Sequence, residues 1–171
     1  MPPESRHLHF RIAIPNDALR MVEIYNSAIN AQNATMDDAP KPPDYFVNLI
    51  AGLQDREHYF VVTDRGEVLG WSAIKLWSAK AGYRFTAETS IYLDSTATRK
   101  GIGHFLQKKT IHTCRHLGFH HLIARIWRSN EGSIRFHEKF GYRIIGIQEQ
   151  VGFMNGEWQD VAILQCILAN D

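Results

Sequence analysis

The segment TSIYLDSTATRKGIGHFLQKK, residues 89–109, constrains this chain more than any other. An apolar, aromatic strand passes through a turn-forming stretch into a basic loop punctuated by glycine, and the loop becomes a helix at once. The first amides of a helix have no intrahelical carbonyl to bond, and the helix dipole adds about half a positive charge there. A junction of this kind holds an anion, most often phosphate, so the rest of the chain has to fold around it.

Two familiar phosphate loops are excluded by spacing. A Walker loop needs a lysine directly after its last glycine, and TRKGIGHF has none there. A dinucleotide fingerprint needs G-x-G-x-x-G near the first strand, with an acidic residue about 20 positions on. What remains is a short loop in which Arg99, Lys100 and the amides of Gly101, Ile102, Gly103 and His104 can wrap a pyrophosphate. Basic, glycine-containing helix starts also arise from turn geometry alone.

The surrounding chain alternates strand and helix signals. After a short strand in HLHFRIAI, Asn16 or Asp17 can cap a helix whose apolar positions are Ala18, Met21, Val22, Tyr25, Ala28 and Ile29. ATMDDAPKPP breaks the pattern as a loop, and Phe46, Leu49, Ile50 and Leu53 restore a helical stripe. HYFVVTD and VLGWSAIKLW flank the turn RGE as a hairpin. In the strand over 84–93, alternation puts Phe85, Ala87, Thr89, Ile91 and Leu93 on a core face, with Thr86, Glu88, Ser90 and Tyr92 on the other. The next helix carries Ile102, Leu106, Thr110, Thr113 and Leu117 along one stripe, HLIARIWR returns as a buried strand, and a shorter helix starts near Ser129. Two final strands flank Asn155-Gly156, a dipeptide suited to a tight hairpin turn. The order β-α-α-β-β-β-α-β-α-β-β predicts a mixed-sheet α/β or α+β fold.

With 171 residues, 44% of them hydrophobic, the chain can bury one sizeable core, so one domain over 1–171 is expected. Nineteen Lys and Arg nearly balance eighteen Asp and Glu, which argues against nucleic acid or an anionic membrane as a partner. Cys114 and Cys166 lie far apart with no CxxC, so they read as reduced thiols. With no apolar run of membrane length, a soluble, cytoplasmic protein is expected. His112 and His116 are four apart on one helix face, but no carboxylate or thiolate stands at matching spacing, and no metal is expected.

Taken together, YRFTAETSIYL, RKGIG, SNEGSIRFHEKFGY, VGFMNGEWQDVAILQ and the early IYNSAI run in order over nearly the whole chain. This set resembles the GNAT acetyltransferase superfamily, and within it the phosphinothricin and methionine sulfoximine/sulfone acetyltransferase branch. The resemblance implies a mixed, mostly antiparallel sheet with splayed middle strands, flanked by helices. It implies acetyl-CoA as co-substrate, transfer of its acetyl group to a small-molecule amine, and a homodimer. The acceptor it implies is the α-amine of a small amino acid or of an analogue such as phosphinothricin, methionine sulfoximine or methionine sulfone. Acetylation of a protein N-terminus or other amine, or a non-catalytic CoA-binding module, are the alternatives.

The same resemblance assigns roles residue by residue. Glu88 is the base that deprotonates the amine, and pairing with Arg84 or Arg125 is the structural alternative. His137 stands where relatives carry the acid that protonates the departing thiolate, and the alternative is a helix histidine bonded to backbone or to Glu138. Backbone groups of Ile91, Tyr92 and Leu93 are implied to hold pantetheine as if it were another strand. Arg99, Lys100 and residues 101–104 take the pyrophosphate, while Asn130 and Lys139 reach the cofactor; Asn130 is equally a helix N-cap. Met36, Trp77, Lys80, Arg84 and Thr89 are implied at the acceptor, with Lys80 or Arg84 pairing its carboxylate. Relatives commonly follow the tryptophan of KLW with Arg or Lys, whereas Ser78 stands here and Lys80 is the next basic residue.

Overall fold

The computed structural model describes residues 7–168. Seven strands and four helices follow the predicted order: β1 (Leu8–Ile12), α1 (Ala18–Ala31), α2 (Tyr45–Ala51), β2 (His58–Asp64), β3 (Glu67–Leu76), β4 (Thr86–Leu93), α3 (Ile102–His116), β5 (His121–Trp127), α4 (Glu131–Glu138), β6 (Arg143–Met154) and β7 (Glu157–Ile167). The strands form one sheet in the order β1-β2-β3-β4-β5-β7-β6. Every neighbouring pair is antiparallel except β4 and β5.

That exception positions the site. β4 and β5 pair only at Thr86 with His121, Ala87 with Leu122 and Glu88 with Ile123. β4 runs on to Leu93 and β5 to Trp127 without further pairing, so a wedge opens in mid-sheet directly after Glu88.

Helices cover the two faces separately. Met21, Ile24 and Tyr25 of α1 and Phe46 of α2 bury against Tyr59, Val61, Trp71 and Ala73 of β2 and β3. On the other face Ile111 and Cys114 of α3 and Ile134 of α4 pack against Ile74, Ala87, Leu122 and Leu164. Ile102 and Leu106 close a smaller cluster with Val62 and Ala97.

Local chemistry sets the turns as expected. Arg65 and Gly66 (φ 51° and 88°) join β2 to β3, and Asn155 and Gly156 (φ 54° and 81°) join β6 to β7. Two successive residues with positive φ match the right-handed twist of a hairpin.

Four details differ from the periodic reading. Ile24 is buried where Ala28 was expected, because the wide α1 face meets both sheet and α2. The buried face of α3 runs through Ile102, Gly103, Leu106, Gln107, Thr110, Ile111 and Cys114, leaving Thr113 and Leu117 at its edge. Phe85 precedes β4 and is exposed, with the Arg84 guanidinium lying over its ring at 4.6 Å. Asp17 makes no side-chain cap; its carboxylate accepts two bonds from Arg11 (2.6 and 2.8 Å) and one from the Ile14 amide (2.9 Å).

Candidate active site

The strand register lines up the floor of the main cavity. Lys75 stands opposite Glu88, Ala73 opposite Ser90 and Trp71 opposite Tyr92 across β3 and β4. Arg125 and Trp127 of β5 continue the same face, two and four residues beyond Ile123, the partner of Glu88. With Tyr25, Phe46, Tyr59 and the 34–37 loop above, these residues enclose about 560 Å³.

The loop over this cavity is held from several sides. The Tyr25 hydroxyl donates to Asp37 at 2.6 Å, and Lys41 pairs with the same carboxylate at 2.8 Å. Burial works against the Asp37 charge, yet those two partners prevail and hold its pKa below the usual carboxylate range. Gln32 donates to Asn155 at 3.1 Å, which ties the loop to the turn of the last hairpin. Met36 lies over Gly152, where a β-carbon would come within 2.6 Å of its sulfur.

Glu88 is held by Arg125. The Arg125 Nε donates to Oε1 at 2.6 Å and one Nη to Oε2 at 3.0 Å, a two-pronged pair on the cavity wall. A carboxylate offers about four lone-pair sites, so this grip leaves two for another proton donor. The other cation, Lys75, stands 3.6 Å from the buried Glu57, whose carboxylate also accepts the Leu76 and Gln54 amides.

A smaller cavity of about 60 Å³ occupies the wedge itself, lined by residues 89–92 of β4, Ala124 to Ile126 of β5, and Asn130, Ser133 and His137. The side chains of Ile91 and Leu93 pack with the α3 cluster and Tyr92 with the α1 cluster, which leaves the β4 backbone facing the gap. Burial lifts the Tyr92 phenol to about 12. The Asn130 amide oxygen accepts from the Ser133 amide as the α4 cap, while its nitrogen donates to the Asn33 carbonyl. The Thr89 hydroxyl, expected at the acceptor, is taken by the Tyr142 hydroxyl at 2.8 Å, although Thr89 lines both cavities.

His137 is 3% exposed, and its Nδ1 lies 2.8 Å from the Ser133 carbonyl oxygen. A carbonyl only accepts, so Nδ1 carries the proton, and in the neutral ring Nε2 keeps a lone pair. Burial pushes the pKa below that of an exposed histidine. The expected proton donor therefore rests as a neutral ring that accepts at Nε2, bonded to Ser133 rather than to Glu138.

At the α3 junction Arg99 (φ 59°) and Gly101 (φ 79°) turn the chain, and Gly101 caps the helix without a side-chain bond. Gly103 packs so closely on β4 that a β-carbon would lie 2.9 Å from Leu93. The uncapped amides thus open beside the end of the strand that borders the wedge. Arg99, Lys100 and His104 are exposed around them.

Trp77, Lys80 and Arg84 are not among the residues lining either cavity. Lys80 and Arg84 flank a short turn of 3-10 helix before β4, and Arg84 donates to the Ala81 carbonyl. Lys139 is exposed at the end of α4. In their place the cavity gathers Lys75, Arg125, Trp71 and Trp127. The period-2 rhythm of β3, which puts Lys75 in line with Trp71 and Ala73, was the signal for Lys75. Trp158 is exposed on β7. The His116 Nδ1 meets the His112 carbonyl oxygen at 2.9 Å, and the described residues hold no group of three metal-ligating side chains.

The family model of the GNAT acetyltransferase domain matches residues 10–163. This chain belongs to the GNAT acetyltransferase family. The chain is 29% identical to phosphinothricin N-acetyltransferase of Streptomyces viridochromogenes, over 96% of this chain and 90% of that one. It is 30% identical to the L-methionine sulfoximine/L-methionine sulfone acetyltransferase of Salmonella typhimurium, over 91% of each. Among solved structures, a GNAT phosphinothricin acetyltransferase from Sinorhizobium meliloti, in complex with acetyl-CoA, superposes with a TM-score of 0.86. That protein is 31% identical, over 95% of this chain and 89% of its own. In this GNAT chain the wedge, its exposed β4 backbone and the uncapped α3 amides suit an extended thioester arm ending in phosphates.

Proposed function

We propose that the chain transfers the acetyl group of acetyl-CoA to the α-amine of a small amino acid or analogue, of the kind represented by phosphinothricin, methionine sulfoximine and methionine sulfone. The observation that carries this reading is the position of Glu88. It lines the main cavity and is also the last residue of β4 to pair before the wedge opens. A base there stands between a bound amine and a thioester lying in the gap.

The chemistry follows from that position. An ammonium has no lone pair, so Glu88 takes one of its protons, directly or through water. The amine nitrogen then bonds to the thioester carbonyl carbon and sheds its second proton, the carbon-sulfur bond breaks, and CoA leaves as a thiolate that gains one proton in exchange. Backbone amides of residues 91–93 steady the charge on the carbonyl oxygen. His137 borders the thiolate end, and it serves as proton donor only after its Nε2 has itself taken up a proton. Arg99, Lys100, the amides of 101–104, Asn130 and Lys139 complete the cofactor site in this reading.

The cavity also bears on the acceptor. The indole nitrogens of Trp71 and Trp127 are buried without a hydrogen-bond partner, and both residues line the cavity. Buried donors left unpaired cost about 1–3 kcal/mol each. Neither nitrogen is exposed to the cavity, so a phosphinate, sulfone or carboxylate oxygen reaches one only if the wall shifts. Lys75 and Arg125 line the cavity together with Asp37 and Glu88, and Asp37 is paired with Lys41, so the walls are not the acidic surface that a polyamine calls for.

A homodimer is part of this proposal. Exposed Ile145, Ile147, Val151, Phe153 and Trp158 gather on the β6-β7 hairpin, an apolar surface suited to self-association. A cytoplasmic setting is supported by Cys114 and Cys166, both free thiols.

The test is release of free CoA thiol from acetyl-CoA against the three analogues, plain amino acids, a polyamine and an N-terminal peptide, with wild type and Glu88→Gln. The expected result is turnover confined to amino acids and their analogues. Glu88→Gln should lower it by about 10²-fold or more while leaving CoA affinity unchanged. Undiminished turnover in the variant removes Glu88 as base.

A further inference from the structure

The Arg125 guanidinium has a second edge. Arginine carries five N–H donors, and the pair with Glu88 uses Nε and one Nη. The end-on edge, formed by the two Nη atoms, donates to no second acceptor among the described residues. The side chain is 53% exposed and its residue lines both cavities. The other charges around the main cavity are committed elsewhere: Asp37 to Lys41 and Tyr25, and Lys75 toward Glu57.

We propose that Arg125 is the specificity-determining residue for an α-amino acid: one edge of its guanidinium holds the base, Glu88, while the other binds the acceptor's α-carboxylate. This rests on the acetyltransferase reading above and adds to it the residue that selects the acceptor class. The guanidinium is planar and rigid, so it fixes the distance between a carboxylate on one edge and a carboxylate on the other. An α-amino acid carries its amine one carbon from its carboxylate. Clamping the carboxylate on the outer edge brings that amine to the side of Arg125 where the Glu88 oxygens lie. An amine without the carboxylate lacks this anchor, and a β- or γ-amino acid anchors with its nitrogen at the wrong reach. Selectivity for the α-position thus follows from one side chain serving two anions. It needs no basic residue after Trp77, where Ser78 stands.

The experiment pairs methionine sulfone with its decarboxylated counterpart, 3-(methylsulfonyl)propylamine, in wild type, Arg125→Gln, Arg125→Ala and Arg125→Lys. The readout is the ratio of kcat/KM for acid over amine, in which any general loss from disturbing Glu88 cancels. Wild type should favour the acid by about 10²-fold, and the preference should collapse in Arg125→Gln and Arg125→Ala. Arg125→Lys, a point charge without the fork, should keep part of it. Equal losses for acid and amine, or no preference in wild type, overturn the proposal.

Calorimetric titration of methionine sulfone onto each protein in the presence of CoA keeps the question independent of turnover. Binding to wild type that is lost in Arg125→Gln supports the assignment even if no acceptor is acetylated, in which case the acetyltransferase reading is what fails. Binding that is absent from wild type, or equal in both, overturns the assignment. Arg125→Gln retains most of the side-chain volume, so a folded variant is available if Arg125→Ala does not fold.

Discussion

The Thr89 and Tyr142 hydroxyls meet at 2.8 Å, both buried, and this bond fastens β4 to the segment entering β6 at the point where the sheet comes apart. Tyr142→Phe removes one partner and leaves the Thr89 hydroxyl buried and unmatched. The expected loss is about 1–3 kcal/mol, read as a fall in Tm of several degrees. Thr89→Val together with Tyr142→Phe replaces both polar groups and should recover part of the loss. No recovery in the double variant would mean that the bond is not the source.

His137 gives a pH dependence whose sign is set by burial. Its folded pKa lies below 6.5, so between that value and about 6.5 the unfolded chain holds a proton that the folded one lacks. Stability is therefore full above pH 6.5 and declines as the pH falls below it. His121 is shifted in the same direction by burial and by His120, so His137→Gln should reduce the slope without abolishing it. Denaturant midpoints from pH 7.5 to 5 measure this, and an unchanged slope would rule out His137 as a source.

Met36 and Gly152 give a test of the loop over the main cavity. A β-carbon at position 152 would fall 2.6 Å from the Met36 sulfur and 2.8 Å from its terminal methyl, the far end of a flexible side chain. Gly152→Ala should displace Met36 with little change in Tm. Acceptor KM should change by about three- to tenfold while KM for acetyl-CoA stays constant. An unaltered acceptor KM would show that Met36 does not close over the acceptor.

Gly101 and Gly118 bracket α3, and each has positive φ (79° and 76°) with open space where a β-carbon would go. Alanine at either position carries the same backbone strain, on the order of 1 kcal/mol. Only Gly101→Ala distorts the loop assigned to the pyrophosphate, so CoA affinity should fall in that variant and hold in Gly118→Ala. Equal CoA affinities in the two variants would detach the loop from cofactor binding.

What was legible in the sequence was what local chemistry dictates. Arg65-Gly66 and Asn155-Gly156 make their turns from neighbouring residues alone, and a carboxylate in the middle of an apolar strand marked Glu88 wherever that strand went. Asn130 read as a helix cap for the same reason, and it is one. Its second bond reaches Asn33, 97 residues away, and left no local trace. Lys80 and Arg84 drew attention because they lie near Trp77 in the chain. The cations that line the cavity, Lys75 and Arg125, are brought there by strand register, which pairs Lys75 with Glu88, starts β5 beside β4 and decides between Arg84 and Arg125 as the partner of Glu88. Register belongs to the sheet as a whole, so no window of sequence contains it. Burial hid the state of His137 in the same way: its spacing gave the helix, and only the packed interior gives a neutral ring.

Of the two strands of the β6-β7 hairpin, the earlier one forms the edge of the sheet. β7 lies between β5 and β6, so β6 can join only after the final segment has paired on both sides. The same hairpin carries Gly152 and Asn155, against which Met36 and Gln32 of the early loop are set. A growing chain therefore has the α1 helix and the first hairpin long before it has the complete main cavity. Contacts of such long sequence separation form slowly, and they close this one. A chain stalled before β6 would have the start of α3 but lack Gln148, Val151, Gly152 and Val161, the hairpin residues that complete the main cavity.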